Sequence, residues 1–250
     1  MPGRIDQVTD PALRNALLIA RRGQSYFSRK LNELTDHDLR EPSLLPGWRR
    51  SHVIAHVGYN ARAIARLVEW ARTGVETPMY DSNEQRAEEI DYGATLSPDA
   101  LRNLSAHAAI HLNVEWRDLA ADEWAREVTT IQGRTVPVSE TIWMRTREVW
   151  LHAVDLDNGG RVEDFPPDVL DLLLEDLVRV WRRKRTPNEA NVVLEPLDRG
   201  FVSKVRDDIT DTDVVVRGSA AQLVAWGTGR RTTGVLAADG SRASPAPPWL

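Results

Sequence analysis

The sequence predicts an α+β protein with a helical N-terminal part and a smaller mixed C-terminal part. Apolar residues recur at three- and four-residue intervals in long runs before the Phe165-Pro166-Pro167 segment, as in amphipathic helices. Short valine-rich runs bounded by polar residues follow this segment and favour strands. We therefore expect a four-helix bundle over residues 1–160 and a small α+β domain over residues 165–250.

Four long helices and one short helix are expected in the first part. Asp10-Pro11 and Ser97-Pro98 each place a proline directly after an N-cap residue, which is typical of a helix start. The long helices are predicted at about Pro11–Leu34, Arg49–Thr73, Pro98–Trp116 and from Ser139 to Asn158-Gly159-Gly160, and the short one at Glu84–Ile90.

The second part is predicted to begin with an amphipathic helix over Asp168–Arg183, where leucines recur at helical spacing. Strands are then expected at Asn191–Leu194, around Val202–Val205, at Asp213–Val216 and at Gly234–Ala237, with a helix over Ser219–Gly227.

Composition limits the class of protein. The 250 residues are 42% apolar and 28% charged, which is typical of a soluble globular protein. A net charge of -5 argues against non-specific nucleic-acid binding, and no apolar run has the roughly 20 residues of a membrane span. The first residues lack a signal-peptide core, so a cytoplasmic protein is expected. There is no cysteine, and any thiol chemistry would need a thiol from a small molecule.

A candidate metal site lies on the fourth predicted helix. Glu148 and His152 stand four residues apart, so a helix places both on one face. Zinc takes nitrogen and oxygen ligands of this kind, and three protein ligands leave it one open position. The second helix carries His52 and His56, either of which could supply the third ligand. A surface Glu/His pair without a metal is the alternative.

A further histidine pair, His107 and His111, has the same spacing on the third long helix. It is expected to be exposed or satisfied within the core.

The stretch from Leu45-Pro46-Gly47-Trp48 through His56-Val57, followed by Asn60, resembles the N-terminal signature of the mycothiol-dependent maleylpyruvate isomerase family. That family shares a DinB-like metal-binding four-helix bundle. Similar stretches are Gly74–Tyr80, Gln132–Pro137, Trp143–Leu156, Ala225–Arg230 and the closing Pro-Pro-Trp-Leu. The resemblance covers almost the whole chain and is weakest from about Asp157 to Asp211.

The resemblance implies a zinc site. The metal histidine of the family closes a W-x-x-x-x-V/I-x-x-H motif, which falls on His56 when counted from Trp48. The implied ligands are therefore His56, Glu148 and His152, with His52 as a neighbour that packs or hydrogen-bonds.

The resemblance also implies residues that bind the substrate or the thiol. Arg230 matches the active-site arginine of the family, and the adjacent Arg231 is the alternative. Tyr80, Asn60 and His52 are expected in the pocket for substrate or thiol, although packing and capping roles are open alternatives. The second domain would contribute Arg230 to the active site.

The family reaction converts maleylpyruvate to fumarylpyruvate in gentisate degradation. A thiolate adds to one alkene carbon, the resulting single bond rotates, and the thiolate is expelled. A free thiol has a pKa of about 8.5, and zinc would deprotonate it. An arginine can hold a carboxylate or the enolate that forms. The implied cofactors are zinc and mycothiol, and a monomer without nucleic-acid or membrane partners is expected.

Two other functions are compatible with the same ligands. One is a mycothiol-dependent S-transferase of the same family, with an identical zinc site and a different pocket. The other is a non-enzymatic metal-binding module, which would need neither the arginine nor a substrate pocket. The residues fix neither the metal bound in the cell nor the substrate range.

Overall fold

The computed structural model describes residues 6–184, 186, 190–200, 203–204, 213–231 and 233–249. The chain divides into two compact units, Met1–Gly160 and Arg161–Leu250. The α+β class and the helical N-terminal part agree with the sequence prediction. None of the helices in the described ranges combines the length and apolar character needed to cross a membrane.

The first unit is mainly helical. Its helices are α1 (Pro11–Asn32), α2 (Arg50–Thr73), α3 (Asn83–Ala94), α4 (Pro98–Asp118) and α5 (Glu140–Asp155), and a hairpin of β1 (Glu127–Thr129) and β2 (Thr135–Pro137) precedes α5. Both predicted N-caps are present. The Asp10 carboxylate accepts from the Ala12 N–H at the start of α1, and the Ser97 hydroxyl accepts from the Ala100 N–H at the start of α4.

The four long helices pack as a bundle. Helix α2 contacts both α4 and α5, and α1 contacts α5. The side chains that α2 turns inward, such as Ile54, Ile64 and Leu67, are fully buried. This burial makes α2 the central helix, so a polar side chain on its inner face lies deep in the unit.

Helix α5 ends earlier than the predicted Asn158-Gly159-Gly160. It stops at Asp155, and Asp157 has a left-handed backbone with φ 50°. The Arg50 guanidinium donates to the carbonyls of Leu156 at 2.6 Å and Asp157 at 2.8 Å. The Arg50 side chain of α2 therefore satisfies two carbonyls that would accept from backbone N–H groups if the helix continued.

Helix α3 is longer than the predicted Glu84–Ile90. It continues through Gly93, where an added Cβ would lie 2.6 Å from the Tyr59 ring and 2.8 Å from the Ala55 Cβ. The missing side chain permits a close approach to α2, so tertiary packing favours the longer helix.

The second unit combines two helices with a four-stranded sheet. Its elements are α6 (Pro167–Lys184), β3 (Val192–Pro196), β4 (Ser203–Lys204), β5 (Val214–Gly218), α7 (Ala220–Gly227) and β6 (Leu236–Ala237). The strand order is β4-β3-β5-β6, in which β3 and β5 are parallel and the outer pairs antiparallel. The strand predicted around Val202–Val205 is represented by β4, while Val202 and Val205 lie outside the described residues.

Candidate metal centre

Three side chains from two helices converge in the first unit. The Oε2 atom of Glu148 lies 2.8 Å from His56 Nε2 and 3.1 Å from His152 Nε2. One ligand atom from each residue lies within 4.8 Å of the other two. Among the described residues this is the one group of three or more His, Asp or Glu side chains with such geometry. The site can therefore offer two imidazole nitrogens and a carboxylate to one ion.

Helix packing positions the three side chains. His56 lies in the second turn of α2 and is only 4% exposed. Glu148 and His152 are one turn apart on α5, which packs against α2. The imidazole rings of His56 and His152 stand nearly perpendicular, with centroids 4.7 Å apart. The Trp48 ring meets the His56 ring edge-on, with centroids 5.6 Å apart.

Asp155 fixes the orientation of His152. Its Oδ2 atom lies 2.8 Å from His152 Nδ1, and the residue is fully buried. A carboxylate at Nδ1 keeps the proton on that nitrogen and leaves Nε2 to face Glu148. Metal-binding histidines commonly have such an acceptor on their second nitrogen.

A buried arginine lies one turn before Glu148. Arg145 is 2% exposed and donates to the Val57 carbonyl at 2.7 Å, to Asn60 Oδ1 at 2.9 Å and to Gln24 Oε1 at 2.7 Å. Burial lowers the pKa of its guanidinium to about 10, so it stays charged at neutral pH. This cation ties α5 to α1 and α2.

Another arginine approaches the centre from α3. Arg86 Nη2 lies 3.4 Å from His56 Nδ1, and the side chain is half-buried. Tyr80 is 7% exposed, and its hydroxyl has no hydrogen-bond partner among the described residues. Burial raises the pKa of Tyr80 to about 12. Among the charged groups, Arg86 lowers this pKa most and Glu148 raises it most. The phenol is therefore neutral and adds no charge to the site.

The pKa values of the three side chains do not all shift in the same direction. Burial lowers the pKa of His56 to about 4, so this imidazole is neutral. Burial acts against the charged forms of Glu148 and His152, but their hydrogen bonds outweigh it. As a result, the pKa of Glu148 lies well below its ordinary value, and that of His152 lies above it. Glu148 is thus an ionised carboxylate between two imidazole rings.

The donor set fits a divalent metal ion. Zinc binds imidazole nitrogen and carboxylate oxygen, and a carboxylate–histidine contact such as Asp155–His152 is common at such sites. His56 differs, because its Nδ1 atom faces the Arg86 guanidinium rather than an acceptor.

The other predicted pocket residues have identified contacts. His52 Nδ1 accepts from the Arg49 backbone N–H at 3.2 Å, and its ring stacks on Trp48. Asn60 Oδ1 accepts from Arg145 Nη1 at 2.9 Å. These contacts give both residues structural roles, and their parts in substrate or thiol binding stay predictions.

The histidine pair on α4 lies apart from this group. His107 and His111 are exposed, and His111 Nε2 lies 3.4 Å from Glu115. This exposure agrees with one of the two expectations for the pair.

The two candidate arginines lie just after α7 in the second unit. The backbone N–H of Arg230 donates to the Ala225 carbonyl at 2.8 Å, and its Nη1 donates to the Thr228 carbonyl at 3.0 Å. Arg231 instead pairs with Glu163 at 3.3 Å. The assignment of Arg230 rather than Arg231 as the substrate-binding residue stays a prediction.

Sequence reasoning missed Asp155, Arg145 and Arg86 as neighbours of the centre. The spacing of His152 and Asp155, three residues apart on one helix, was a usable signal for the first. A charged residue among apolar ones on the inner face of α5 was a signal for Arg145. No local signal identifies Arg86, because its position depends on how α3 packs.

The bundle and its converging His, Glu and His side chains define a class of helical-bundle proteins with a candidate metal centre between facing helices. Comparison with known proteins narrows this class. The family model described as the mycothiol maleylpyruvate isomerase N-terminal domain matches residues 20–157. No curated protein matches the chain at a significant level.

Two solved structures are similar over nearly the whole chain. The crystal structure of the mycothiol-dependent maleylpyruvate isomerase has 46% identity, covers 94% of this chain and 96% of its own, and has a TM-score of 0.86. A histidine-to-alanine mutant structure under the same name has 45% identity, the same coverage and a TM-score of 0.86. The chain belongs to the mycothiol-dependent maleylpyruvate isomerase family, as its sequence motifs predicted.

Proposed function

We propose that the chain isomerises maleylpyruvate to fumarylpyruvate, with mycothiol as thiol cofactor and zinc held by His56, Glu148 and His152. The observation that supports this most is the convergence of these three side chains, in a chain 46% identical to the mycothiol-dependent isomerase.

The reaction needs a nucleophile that this chain does not contain. Rotation about the alkene requires a temporary single bond, and addition of a thiolate creates one. The sequence has no cysteine, so the sulfur has to come from a small molecule. Zinc bound to the three side chains would lower the pKa of that thiol and so raise its thiolate fraction.

The residues of the chain have separate tasks in this proposal. His56, Glu148 and His152 hold the ion, and Asp155 orients His152 through Nδ1. The Trp48 ring packs edge-on against the His56 ring. Addition moves an electron pair onto the ketone oxygen, and the Arg230 guanidinium would hold that enolate or a carboxylate.

The test follows the ultraviolet absorbance of maleylpyruvate with purified zinc-loaded protein, with mycothiol added or left out. Turnover only in the presence of the thiol is the expected result. Turnover without thiol would contradict the thiol mechanism. No turnover with zinc and mycothiol both present would contradict the isomerase assignment and favour an S-transferase of the same family.

A further inference from the structure

Arg86 places a cation beside the candidate metal centre. Its guanidinium lies 3.4 Å from His56 Nδ1, and no carboxylate of the described residues lies within ion-pair distance of it. Other arginines of the first unit are engaged differently. Arg21 binds Asp6 with two hydrogen bonds, and Arg66 donates to the Met79 carbonyl.

The position of Arg86 within α3 is also unfavourable for a cation. It lies in the first turn, near the positive end of the helix dipole, where acidic residues are preferred. This helix start is well anchored, because the Ser82 hydroxyl accepts from the Gln85 N–H and the Gln85 side chain accepts from the Asp81 N–H. The backbone that carries Arg86 is therefore held in place.

The contact with His56 does not satisfy the guanidinium in a metal-loaded protein. A guanidinium only donates hydrogen bonds. A metal held by His56 Nε2 would leave the ring proton on Nδ1, so two donors would face each other. The neutral Tyr80 phenol supplies no negative charge either. Arg86 therefore offers a cation beside the centre that no carboxylate of the described residues neutralises.

We infer that Arg86 binds the substrate carboxylate carried by the alkene carbon to which the thiol adds. This inference rests on the proposed isomerase function. The thiolate forms its bond to the alkene carbon β to the ketone while the alkene electron pair moves to the ketone oxygen. That carbon carries a carboxylate, whose negative charge repels the incoming sulfur. A guanidinium beside the centre can bind this carboxylate with two parallel hydrogen bonds and reduce the repulsion.

The geometry distinguishes this carboxylate from the one at the keto-acid end of the substrate. The alkene carboxylate is attached to the carbon that bonds to sulfur, and so it would lie next to the metal centre that activates the thiol. Arg86 contacts His56, a proposed ligand of that centre. Arg230 then remains available for the enolate or the distant carboxylate.

The experiment compares wild type, Arg86→Gln and Arg86→Lys, with Arg62→Gln as the matched control. Arg62 is exposed on α2 and lies over the Tyr59 ring, so its substitution removes the same charge elsewhere on the bundle. Arg86→Gln is expected to lower kcat/KM for maleylpyruvate about 10–100-fold. The zinc content and the KM for mycothiol should not change. Arg86→Lys should recover part of the loss, and Arg62→Gln should behave as wild type.

A substrate analogue separates the two carboxylates. In an analogue with a methyl group in place of the keto-acid carboxylate, the Arg86→Gln substitution should lower kcat/KM by the same factor as it does for maleylpyruvate. A loss confined to maleylpyruvate would overturn the assignment to the alkene carboxylate. Loss of zinc in Arg86→Gln would also overturn it, because Arg86 would then act by holding His56.

Binding of maleate without thiol provides a readout independent of turnover. Calorimetric titration of zinc-loaded protein should show weaker binding in Arg86→Gln than in wild type. Equal affinity, or no binding to either protein, would count against Arg86. Absence of turnover in wild type with thiol and zinc would instead count against the proposed function, so the two failures are distinguishable.

Discussion

Asp155 Oδ2 and His152 Nδ1 are joined by a 2.8 Å hydrogen bond on the last turn of α5. Asp155 → Asn should weaken zinc binding about 10–100-fold, because an amide no longer fixes the proton on Nδ1. Competition with a chromogenic chelator measures this affinity. Asp91→Asn is the control, since Asp91 is exposed and lies 3.9 Å from His52. Equal zinc affinity in Asp155→Asn and wild type would exclude an orienting role.

Glu148 is the carboxylate between the two histidines, and its replacement should remove the metal. At the same free zinc concentration, Glu148→Gln is expected to bind less than about one tenth of the zinc that wild type binds, because glutamine lacks the anionic ligand. Elemental analysis after gel filtration measures the ratio of metal to protein. His111→Ala should bind zinc normally, as His111 is exposed on α4. A full equivalent of zinc in Glu148→Gln would show that the ion lies elsewhere.

Arg145 should contribute to stability rather than to catalysis. Arg145→Met leaves the Val57 carbonyl and the Asn60 side chain without their donor, so we expect the free energy of unfolding to fall by roughly 2–4 kcal/mol. Urea unfolding followed by helical circular dichroism measures the change. Arg62→Met, at an exposed position, should change stability by less than about 0.5 kcal/mol. Similar values for both variants would refute the structural role.

Arg230→Ala should lower turnover by about 100-fold or more without changing zinc content, if Arg230 stabilises the enolate. Steady-state kinetics and elemental analysis of the same preparation test both parts. Arg231→Ala is the matched variant, because it removes a neighbouring charge that pairs with Glu163 on a partly exposed surface. A larger loss of turnover in Arg231→Ala would reverse the assignment, and loss of zinc in Arg230→Ala would contradict it.

Most of the fold could be predicted because its signals are local. Asp10-Pro11 and Ser97-Pro98 mark helix starts through caps that form within a few residues. The ends of α3 and α5 could not be predicted as well. The end of α5 depends on Arg50, more than 100 positions earlier in the chain, and the length of α3 depends on its contact with α2.

The candidate site divides in the same way. The spacing of Glu148 and His152 is a property of one helix, and the family motif identified His56 as their partner. Asn60 was expected in the pocket, but its contact with Arg145 depends on the packing of α2 against α5. Arg86 reaches His56 from a different helix, and a single sequence contains no pattern for such a contact.

The separation of His56 and Glu148 by 92 positions has a thermodynamic consequence. An ion bound to both would act as a removable cross-link between α2 and α5 in the folded state. Binding to the folded form alone stabilises it by about 2.7 kcal/mol when the free ion is at 100 times its dissociation constant. The melting temperature of the first unit would therefore report on metal supply. A chelator would lower the stability of the folded protein as well as its activity.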